Sequence, residues 1–320
     1  MGMSVPFYNE LPRRGVAQQR VGWDLFGERY PLGRLNLVDS QVVQQELIGV
    51  GDPTPISLNW NLEYPDPGIL GRTPYKHNIK RVTDGWDDYL DGYFPQGSSQ
   101  WDAMCHCRHP ELGYYNGVLA TDEFDGGLSV REKLGIHNLA RAGITARFIL
   151  IDIVNFHAQS GVSWSGMSGF QISKELLISI LDFQETTLQS GDILILRTGW
   201  TEEYSNFSPS ARVQLAAAPL KISGLKNDES LIEWLWDQGV VGIAADNPTV
   251  EATPFDVSDP ATFMHYQLIP LLGFLLGELF DLEALAKRCA ESSKWHGVII
   301  SAPLNIYAGV GSPANSIALV

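Results

Sequence analysis

Residues Phe148–Val154 read Phe-Ile-Leu-Ile-Asp-Ile-Val, an apolar run that is typical of a buried strand. Further along the chain, Ser173 is placed to cap a helix, because apolar side chains follow it at helical spacing. These side chains are Leu176, Leu177, Ile180, Leu181 and Leu188. A second apolar strand is predicted over Ile193–Arg197. A strand, a helix and a further strand in succession are typical of an α/β sheet.

The alternation extends on both sides of this unit. We predict strands at Val240–Ala245, Leu271–Leu276 and Val298–Ser301, and helices at Val130–Ala142, Glu229–Gln238, from Asp259-Pro260 onward and at Asp281–Glu291. Gly143 and Gly239 suit the ends of two of these helices, and Pro260 suits a first helical turn. The polar segment Asn206–Asp228 is predicted to be a surface excursion. The fold class is therefore α/β, with a mixed sheet flanked by helices.

The N-terminal part of the chain has a different character. Residues 1–95 are rich in proline, glycine and aromatic side chains, and long periodic segments are scarce there. Such a composition favours turns, short strands and loops. We therefore predict a loop-rich N-terminal region over residues 1–95, packed on an α/β core over residues 96–320 to form one domain.

Composition narrows the range of partners. The net charge of -15 disfavours binding to nucleic acid or to anionic lipids. No apolar run reaches the roughly 18–20 residues of a membrane span, and the N-terminus is not predicted to be a secretory signal. Three cysteines, an odd number, argue against a disulfide framework. We expect a cytoplasmic protein that acts on a small molecule.

The densest group of candidate metal ligands lies in Gln100-Trp101-Asp102-Ala103-Met104-Cys105-His106. Gln100 and Asp102 share a face if the chain is extended, and Asp102 and His106 share one if it is helical. An amide oxygen, a carboxylate and an imidazole are ligands for Zn²⁺, Mn²⁺ or Fe²⁺, and three of them leave room for water. Spacing alone makes this a weak signal. Cys105 and Cys107 are expected to be small buried residues.

The register of these residues resembles the cyclase family, which includes bacterial kynurenine formamidase and isatin hydrolase. The segment Gly97–His106 contains the register of the nine-residue family motif Gly-Thr-His-x-Asp-x-x-x-His, with Gln100 at its first histidine and His106 at its last position. Further similar segments follow in the family's order over residues 80–320. They are Tyr115–Gly117, Gly191–Trp200, Asp246–Glu251, His265, Gly277–Glu283 and Gly311–Ala314.

The resemblance implies a swivelling β/β/α-type domain and a metal-dependent hydrolase of amide-like bonds. It implies that Gln100, Asp102 and His106 bind one ion, and that His265 and Glu278 face the same site. One or two ions, Zn²⁺ or Mn²⁺, are expected. The chain departs from the formamidase pattern at Gln100, where that pattern has histidine. A subgroup of the family with glutamine at this position is the group that this chain resembles.

The same resemblance suggests roles for the remaining candidates. Glu278 is expected to move protons, or His109 in the loop after the motif. Trp101, Trp86 and Tyr115 are the candidates for contact with a substrate. Family members are usually dimers or larger, so we expect a homodimer or a homotetramer.

The sequence is compatible with three functions. The first is hydrolysis of an amide, imide or lactone of a small cyclic or aromatic molecule. The second is a lyase or cyclase reaction, in which Glu278 removes a proton next to a carbonyl. The third is a metal-free binding protein. Glu251, in a turn after the strand that ends at Ala245, either contacts substrate or caps the turn, and the turn is favoured.

Overall fold

The structure is a computed structural model that describes residues 5–51, 53–119, 127–260 and 262–320. Within these residues the strands are β1 (Arg13–Arg14), β2 (Gln19–Arg20), β3 (Ile56–Ser57), β4 (Lys76–Val82), β5 (Gly85–Asp91), β6 (Gln100–Asp102), β7 (Ile144–Asp152), β8 (Gln171–Ile172), β9 (Ile193–Arg197), β10 (Gly224–Leu225), β11 (Gly242–Ala245), β12 (Leu275–Glu278), β13 (His296–Ser301), β14 (Gly311–Pro313) and β15 (Ser316–Leu319).

The helices of the same residues are α1 (Ser40–Ile48), α2 (Leu128–Leu134), α3 (His137–Ala142), α4 (Ile153–Gln159), α5 (Lys174–Phe183), α6 (Trp200–Ser205), α7 (Pro209–Ala217), α8 (Glu229–Asp237), α9 (His265–Leu268) and α10 (Glu283–Ser292). 3-10 helices lie at Tyr8–Glu10, Gly27–Leu37 and Tyr115–Gly117, and the second of them is interrupted by a kink at Gly33. None of the helices in the described ranges combines the length and the apolar character that a membrane span needs.

A nine-stranded mixed sheet forms the centre of the molecule, in the order β14-β6-β12-β11-β9-β7-β13-β15-β3. The four strands β12, β11, β9 and β7 run parallel to one another, and each remaining pair of neighbours is antiparallel. Nearly all side chains of the parallel strands are buried, as expected when helices cover such a sheet. The predicted α/β fold with a mixed sheet and flanking helices is confirmed.

Helices pack along the sheet where the sequence predicts them. Helix α5 contacts β7, α4 contacts β9, and α5 also contacts both α4 and α8. The side-chain oxygen of Ser173 accepts a hydrogen bond from the backbone N–H of Leu176, so the predicted N-cap of α5 is confirmed. The strand predicted at Ile193–Arg197 is β9, with the same bounds.

Several predicted bounds are wrong because local contacts override the apolar pattern. The run that starts at Phe148 leaves the strand at Asp152, whose carboxylate caps α4 by accepting from the N–H of Asn155. Leu188 lies beyond the end of α5. The helix predicted over Val130–Ala142 is divided between α2 and α3. Asp259-Pro260 opens no helix, and the short α9 begins only at His265.

The segment predicted as a surface excursion is only partly one. Helix α7 has no buried residue. The chain after it turns inward, and Ile222, Ser223 and Leu225 are fully buried. Strand β10 there pairs with β8, away from the main sheet.

Elements before residue 95 are short, apart from α1, the kinked 3-10 segment Gly27–Leu37 and a hairpin. Strands β4 and β5 form this hairpin, and neither contains a buried residue. Trp60 and Ile69 of the same region are buried in a small apolar cluster with Trp200 and Tyr204 of α6. Leu279, the residue after β12, belongs to the same cluster, so the loops next to the hairpin pack against the end of that strand.

Candidate metal centre

Pairing between β6 and β12 places two polar side chains opposite each other. Gln100 faces Glu278 across the antiparallel ladder, and Trp101 faces Gly277. Directly opposite residues project from the same face of a sheet, and the next residue projects from the other face. Gln100, Asp102 and Glu278 therefore share one face. A Cβ atom at Gly277 would lie 2.9 Å from the ring of Trp101, so only glycine fits there.

These side chains are in direct contact. Nε2 of Gln100 donates a hydrogen bond to Oε2 of Glu278 at 2.5 Å. The imidazole of His265 lies beside them, with Nε2 at 3.3 Å from Oε1 of Glu278 and 3.9 Å from Oδ2 of Asp102. One ligand atom from each of Asp102, His265 and Glu278 lies within 4.8 Å of the others, and all three residues are buried. This is a geometry in which a single metal ion can contact all three.

The buried carboxylate of Glu251 contacts the ring nitrogen of His265 that faces away from Glu278. Nδ1 of His265 lies 3.0 Å from Oε1 of Glu251. The ring of Phe263 stacks on His265 with centroids 4.9 Å apart and planes 4° from parallel. Together these contacts fix both the position and the rotation of the imidazole.

The loop that carries Glu251 follows β11, at the carboxyl ends of the parallel strands. Oδ1 of Asn247 accepts hydrogen bonds from the backbone N–H groups of Thr249 and Val250, which closes a tight turn. Glu251 follows that turn and is 1% exposed. The interpretation that Glu251 only caps a turn is wrong, because its carboxylate contacts His265 and Asn247 makes the turn.

The three charged groups shift one another's proton affinity. Burial raises the pKa of Asp102. Burial also acts to raise the pKa of Glu278, but the hydrogen bond and charge of His265 outweigh it and hold that pKa below its ordinary value. Burial acts to lower the pKa of His265, yet Glu251 and then Glu278 raise it well above its ordinary value. The site thus favours positive charge among its carboxylates.

Several buried oxygen atoms at this site have no hydrogen-bond donor among the described residues, which shows whether a divalent cation would fit there. Both carboxylate oxygens of Asp102, Oε1 of Gln100 and Oε2 of Glu251 are buried without a hydrogen-bond partner in the described structure. Leaving so many buried oxygens without a donor is costly. Buried carboxylates are normally paired with a cationic group or bind a metal ion. The residues therefore fit a divalent ion whose preferred ligands include oxygen.

Comparison with known proteins shows the family to which the chain belongs. The sequence model of the Cyclase family, described as "Putative cyclase", matches residues 73–252, more than half of the chain. The chain belongs to the cyclase family. The crystal structure of a novel cyclase is 28% identical, with a TM-score of 0.80 over 94% of this chain and 99% of that chain. No curated protein matches the chain.

Two more distant structures share the cyclase fold. An isatin hydrolase bound to the product analogue thioisatinate is 16% identical, with a TM-score of 0.58 over 88% of this chain and 99% of that chain. Isatin hydrolase A from Ralstonia solanacearum is 15% identical, with a TM-score of 0.57 over 88% of this chain and 97% of that chain. The predicted resemblance is confirmed at the level of the family, and the subgroup with glutamine stays a prediction.

His106 and His109 lie outside the three-residue cluster of this cyclase-family protein. Nδ1 of His106 is 3.7 Å from Oδ1 of Asp102, and 26% of its side chain is exposed. Nδ1 of His109 accepts from the backbone N–H groups of Glu111 and Leu112, which makes the ring neutral with its proton on Nε2. Their predicted roles, metal ligand for His106 and proton carrier for His109, stay predictions.

The predicted aromatic contacts to substrate are corrected by burial. Trp101 is fully buried on the face of β6 away from Gln100, and its indole N–H donates to Oγ of Ser301 at 3.0 Å. Tyr115 is also fully buried, with its hydroxyl directed to the carbonyl of Gly22 at 3.4 Å. Neither ring can stack on a substrate. Trp86 is 69% exposed on the hairpin, and the structure does not bring it to the cluster.

Arg72 is a site residue that the sequence analysis missed. It lies in the loops before the hairpin, and its Nη1 is 3.9 Å from Oε2 of Glu278. Nothing in the local sequence around Arg72 marks it, since the contact spans the chain from the N-terminal region to β12. Glu251, by contrast, belongs to a segment that resembles the family, so the sequence did indicate that it could lie at the site.

Proposed function

We propose that this cyclase-family protein is a metal-dependent hydrolase that opens or cleaves a carbonyl C–N or ester bond of a small cyclic or aromatic molecule. One observation carries the proposal. Buried oxygens of Asp102, Gln100 and Glu251 that lack any donor surround an oriented imidazole, His265, next to Glu278. A divalent ion supports this chemistry by lowering the pKa of water and polarising a carbonyl.

Asp102, His265 and Glu278 would hold the ion, with the amide oxygen of Gln100 beside them. Carboxylate and amide oxygens outnumber nitrogen in this set. Oxygen-rich sites suit Mn²⁺ better than sites with several imidazoles, which suit Zn²⁺. Among the two ions that we expect, we therefore propose Mn²⁺ as the preferred one.

Two side chains are placed to move the proton that hydrolysis requires. Glu278 would hold the ion through one carboxylate oxygen, and its other oxygen can accept a proton from water and return it to the leaving group. His106 lies beside Asp102 and is partly exposed, so its ring can exchange protons with solvent. Glu251 and Phe263 keep His265 in place while this happens.

The proposal is tested by metal analysis combined with an activity panel. Protein purified from metal-replete medium is analysed for bound ions, and then assayed with N-formylkynurenine, isatin, and simple lactones and imides in ¹⁸O-labelled water. We expect a stoichiometric divalent ion and a product that carries one label from water. Product without label would indicate the lyase or cyclase reaction instead. Protein without any ion would favour a metal-free binding role.

We further propose that the protein works in the cytoplasm as a homodimer or homotetramer. Cys105, Cys107 and Cys289 are free and buried, which suits a reducing compartment. The assembly rests on the resemblance to the family. Light scattering coupled to size-exclusion chromatography measures the mass directly. A mass equal to that of one 35.4 kDa chain at micromolar concentration would contradict the assembly.

A further inference from the structure

A cavity of about 440 Å³ lies between the loops of the N-terminal region and α7. The residues that line it include three tyrosines, Tyr64, Tyr75 and Tyr93, and two arginines, Arg72 and Arg212. Cavities of this size hold small molecules with one or two rings. Aromatic side chains next to two cationic ones favour a ligand that has a ring and a negative charge.

Arg72 connects this cavity to the metal centre. Its side chain lines the cavity, while its Nη1 lies 3.9 Å from Oε2 of Glu278. Gly97, three residues before Gln100, also lines the cavity. Asp102, His265 and Glu278 do not themselves line the cavity, so Arg72 is the residue through which a molecule in the cavity would be linked to the cluster.

The guanidinium of Arg72 has only a distant ion-pair partner among the described residues. Oε2 of Glu278 already accepts the 2.5 Å hydrogen bond from Gln100, and Oε1 lies 3.3 Å from His265. At 3.9 Å, Arg72 is the most distant of these partners, and 19% of its side chain stays exposed. No closer ion pair of Arg72 exists among the described residues. Its guanidinium can thus donate to an anion in the cavity.

Arg212 offers a second free donor. Its guanidinium lies over the rings of Tyr64 and Tyr204, 4.7 Å and 5.0 Å from their centroids, and its Nη2 donates to the carbonyl of Ser205. Its Nε is buried and has no hydrogen-bond partner in the part of the chain that the structure describes. A buried cationic donor without an acceptor is costly unless a ligand supplies one.

Two carboxylates on the same wall do not neutralise these arginines. Glu63 and Asp66 line the cavity but are exposed, and among the described ion pairs neither lies within 4 Å of Arg72 or Arg212. Exposed carboxylates at a rim are well solvated and act weakly over distance.

We propose that this cavity is the substrate subsite and that it takes a ring-containing small molecule with a carboxylate group. Arg72 and Arg212 bind the carboxylate, the tyrosine rings contact the ring, and the reacting carbonyl lies on the side of the cavity where Arg72 approaches Glu278. The orientation of the carbonyl rests on the proposed function. The binding of the carboxylate does not, since it requires only the cavity and the two arginines.

Calorimetric titration with benzoate and with its neutral analogue benzamide tests the subsite. We expect benzoate to bind wild-type protein about tenfold more tightly or better, the size of effect that a charge-assisted contact gives. Arg72→Gln and Arg212→Gln should each remove this preference, and Arg72→Lys should keep part of it. Arg81→Gln is the matched control, because Arg81 is exposed on the hairpin. Melting curves identify any variant that fails to fold.

A second titration separates the arginines from the metal centre. The Asp102→Asn variant should still prefer benzoate, because the carboxylate is bound by the arginines. Loss of the preference in Asp102→Asn, or its survival in both glutamine variants of the arginines, would overturn the proposal. Metal content and ¹⁸O incorporation report on the hydrolase independently, so either proposal can fail while the other stands.

Discussion

Nδ1 of His265 lies 3.0 Å from Oε1 of Glu251, while Nε2 of the same ring lies 3.3 Å from Oε1 of Glu278. A carboxylate on one ring nitrogen fixes the tautomer and leaves the other nitrogen to bind an ion. We therefore propose that Glu251 positions His265 for the metal centre without contacting the ion.

Changing Glu251 to Gln should weaken metal binding without removing it. The amide oxygen can still accept from Nδ1, but the negative charge that strengthens His265 as a ligand is lost. We expect an affinity for Mn²⁺ that is about 10- to 100-fold lower, measured by competition with a chelator. Glu229→Gln, on α8, is the control. Equal affinities in both variants would contradict the role of Glu251.

Replacement of Gln100 by His should change which ion the protein prefers. An imidazole in place of the amide oxygen gives the site a second nitrogen ligand and suits Zn²⁺ better. We expect the ratio of bound Zn²⁺ to Mn²⁺ to rise after dialysis against equal concentrations of both. Mass spectrometric metal analysis measures the ratio. If the ratio does not change, Gln100 does not contact the ion.

Asp102→Asn and His106→Asn should fail in different ways. Asp102 is buried, and neither of its carboxylate oxygens has a hydrogen-bond partner among the described residues. Removing the charge of this carboxylate should therefore remove the ion together with the activity. His106 lies outside the converging ligand atoms. We expect His106→Asn to keep its ion and lose about 100-fold or more in kcat, as for a lost proton carrier. Loss of the ion in both variants would make His106 a ligand after all.

The two tryptophans that the sequence suggested as substrate contacts form a matched pair. Trp101→Phe removes the donor to Ser301 and leaves a void in the core, which should lower the free energy of unfolding by about 2 kcal/mol or more. Trp86→Phe, on the exposed hairpin, should change it by about 0.5 kcal/mol or less. Urea denaturation gives both values. A raised KM with unchanged stability in Trp101→Phe would restore the original prediction.

Glu46 should make the protein sensitive to acid. Burial acts to raise its pKa, but the hydrogen bond and charge of His296, with Lys294, lower it from 4.5 to about 2. Because the folded pKa is depressed, the stabilisation is complete above pH 4.5 and is lost as the pH falls toward 2. Glu46→Gln should therefore be less stable than wild type at pH 6, with a smaller difference at pH 3. Thermal melts across this range test the sign.

Local patterns predicted the parts of the fold that local physics controls. The cap at Ser173 and the strand at Ile193–Arg197 follow from short-range rules, and both are confirmed. The two-residue repeat of a strand also placed Gln100 and Asp102 on one face. The same repeat puts Trp101 on the other face, so this error could have been avoided from the sequence.

Long-range contacts explain what the sequence could not predict. The pairing of β6 with β12 joins Gln100 to Glu278, and no local signal specifies such a register. Arg72 enters the site from a region with few periodic elements, where side-chain directions depend on loops. The helix predicted from Asp259-Pro260 fails for a related reason, since a favourable first turn does not ensure that a helix continues.

The three residues that converge on the metal centre come from β6, α9 and β12, which are distant along the chain. In the unfolded chain they offer no common site, so an ion that binds them acts as a reversible cross-link of the native state only. Each tenfold increase in free ion above its dissociation constant then adds about 1.4 kcal/mol to the free energy of unfolding. If the proposed ion binds, the melting temperature of this protein should therefore rise with the concentration of free ion.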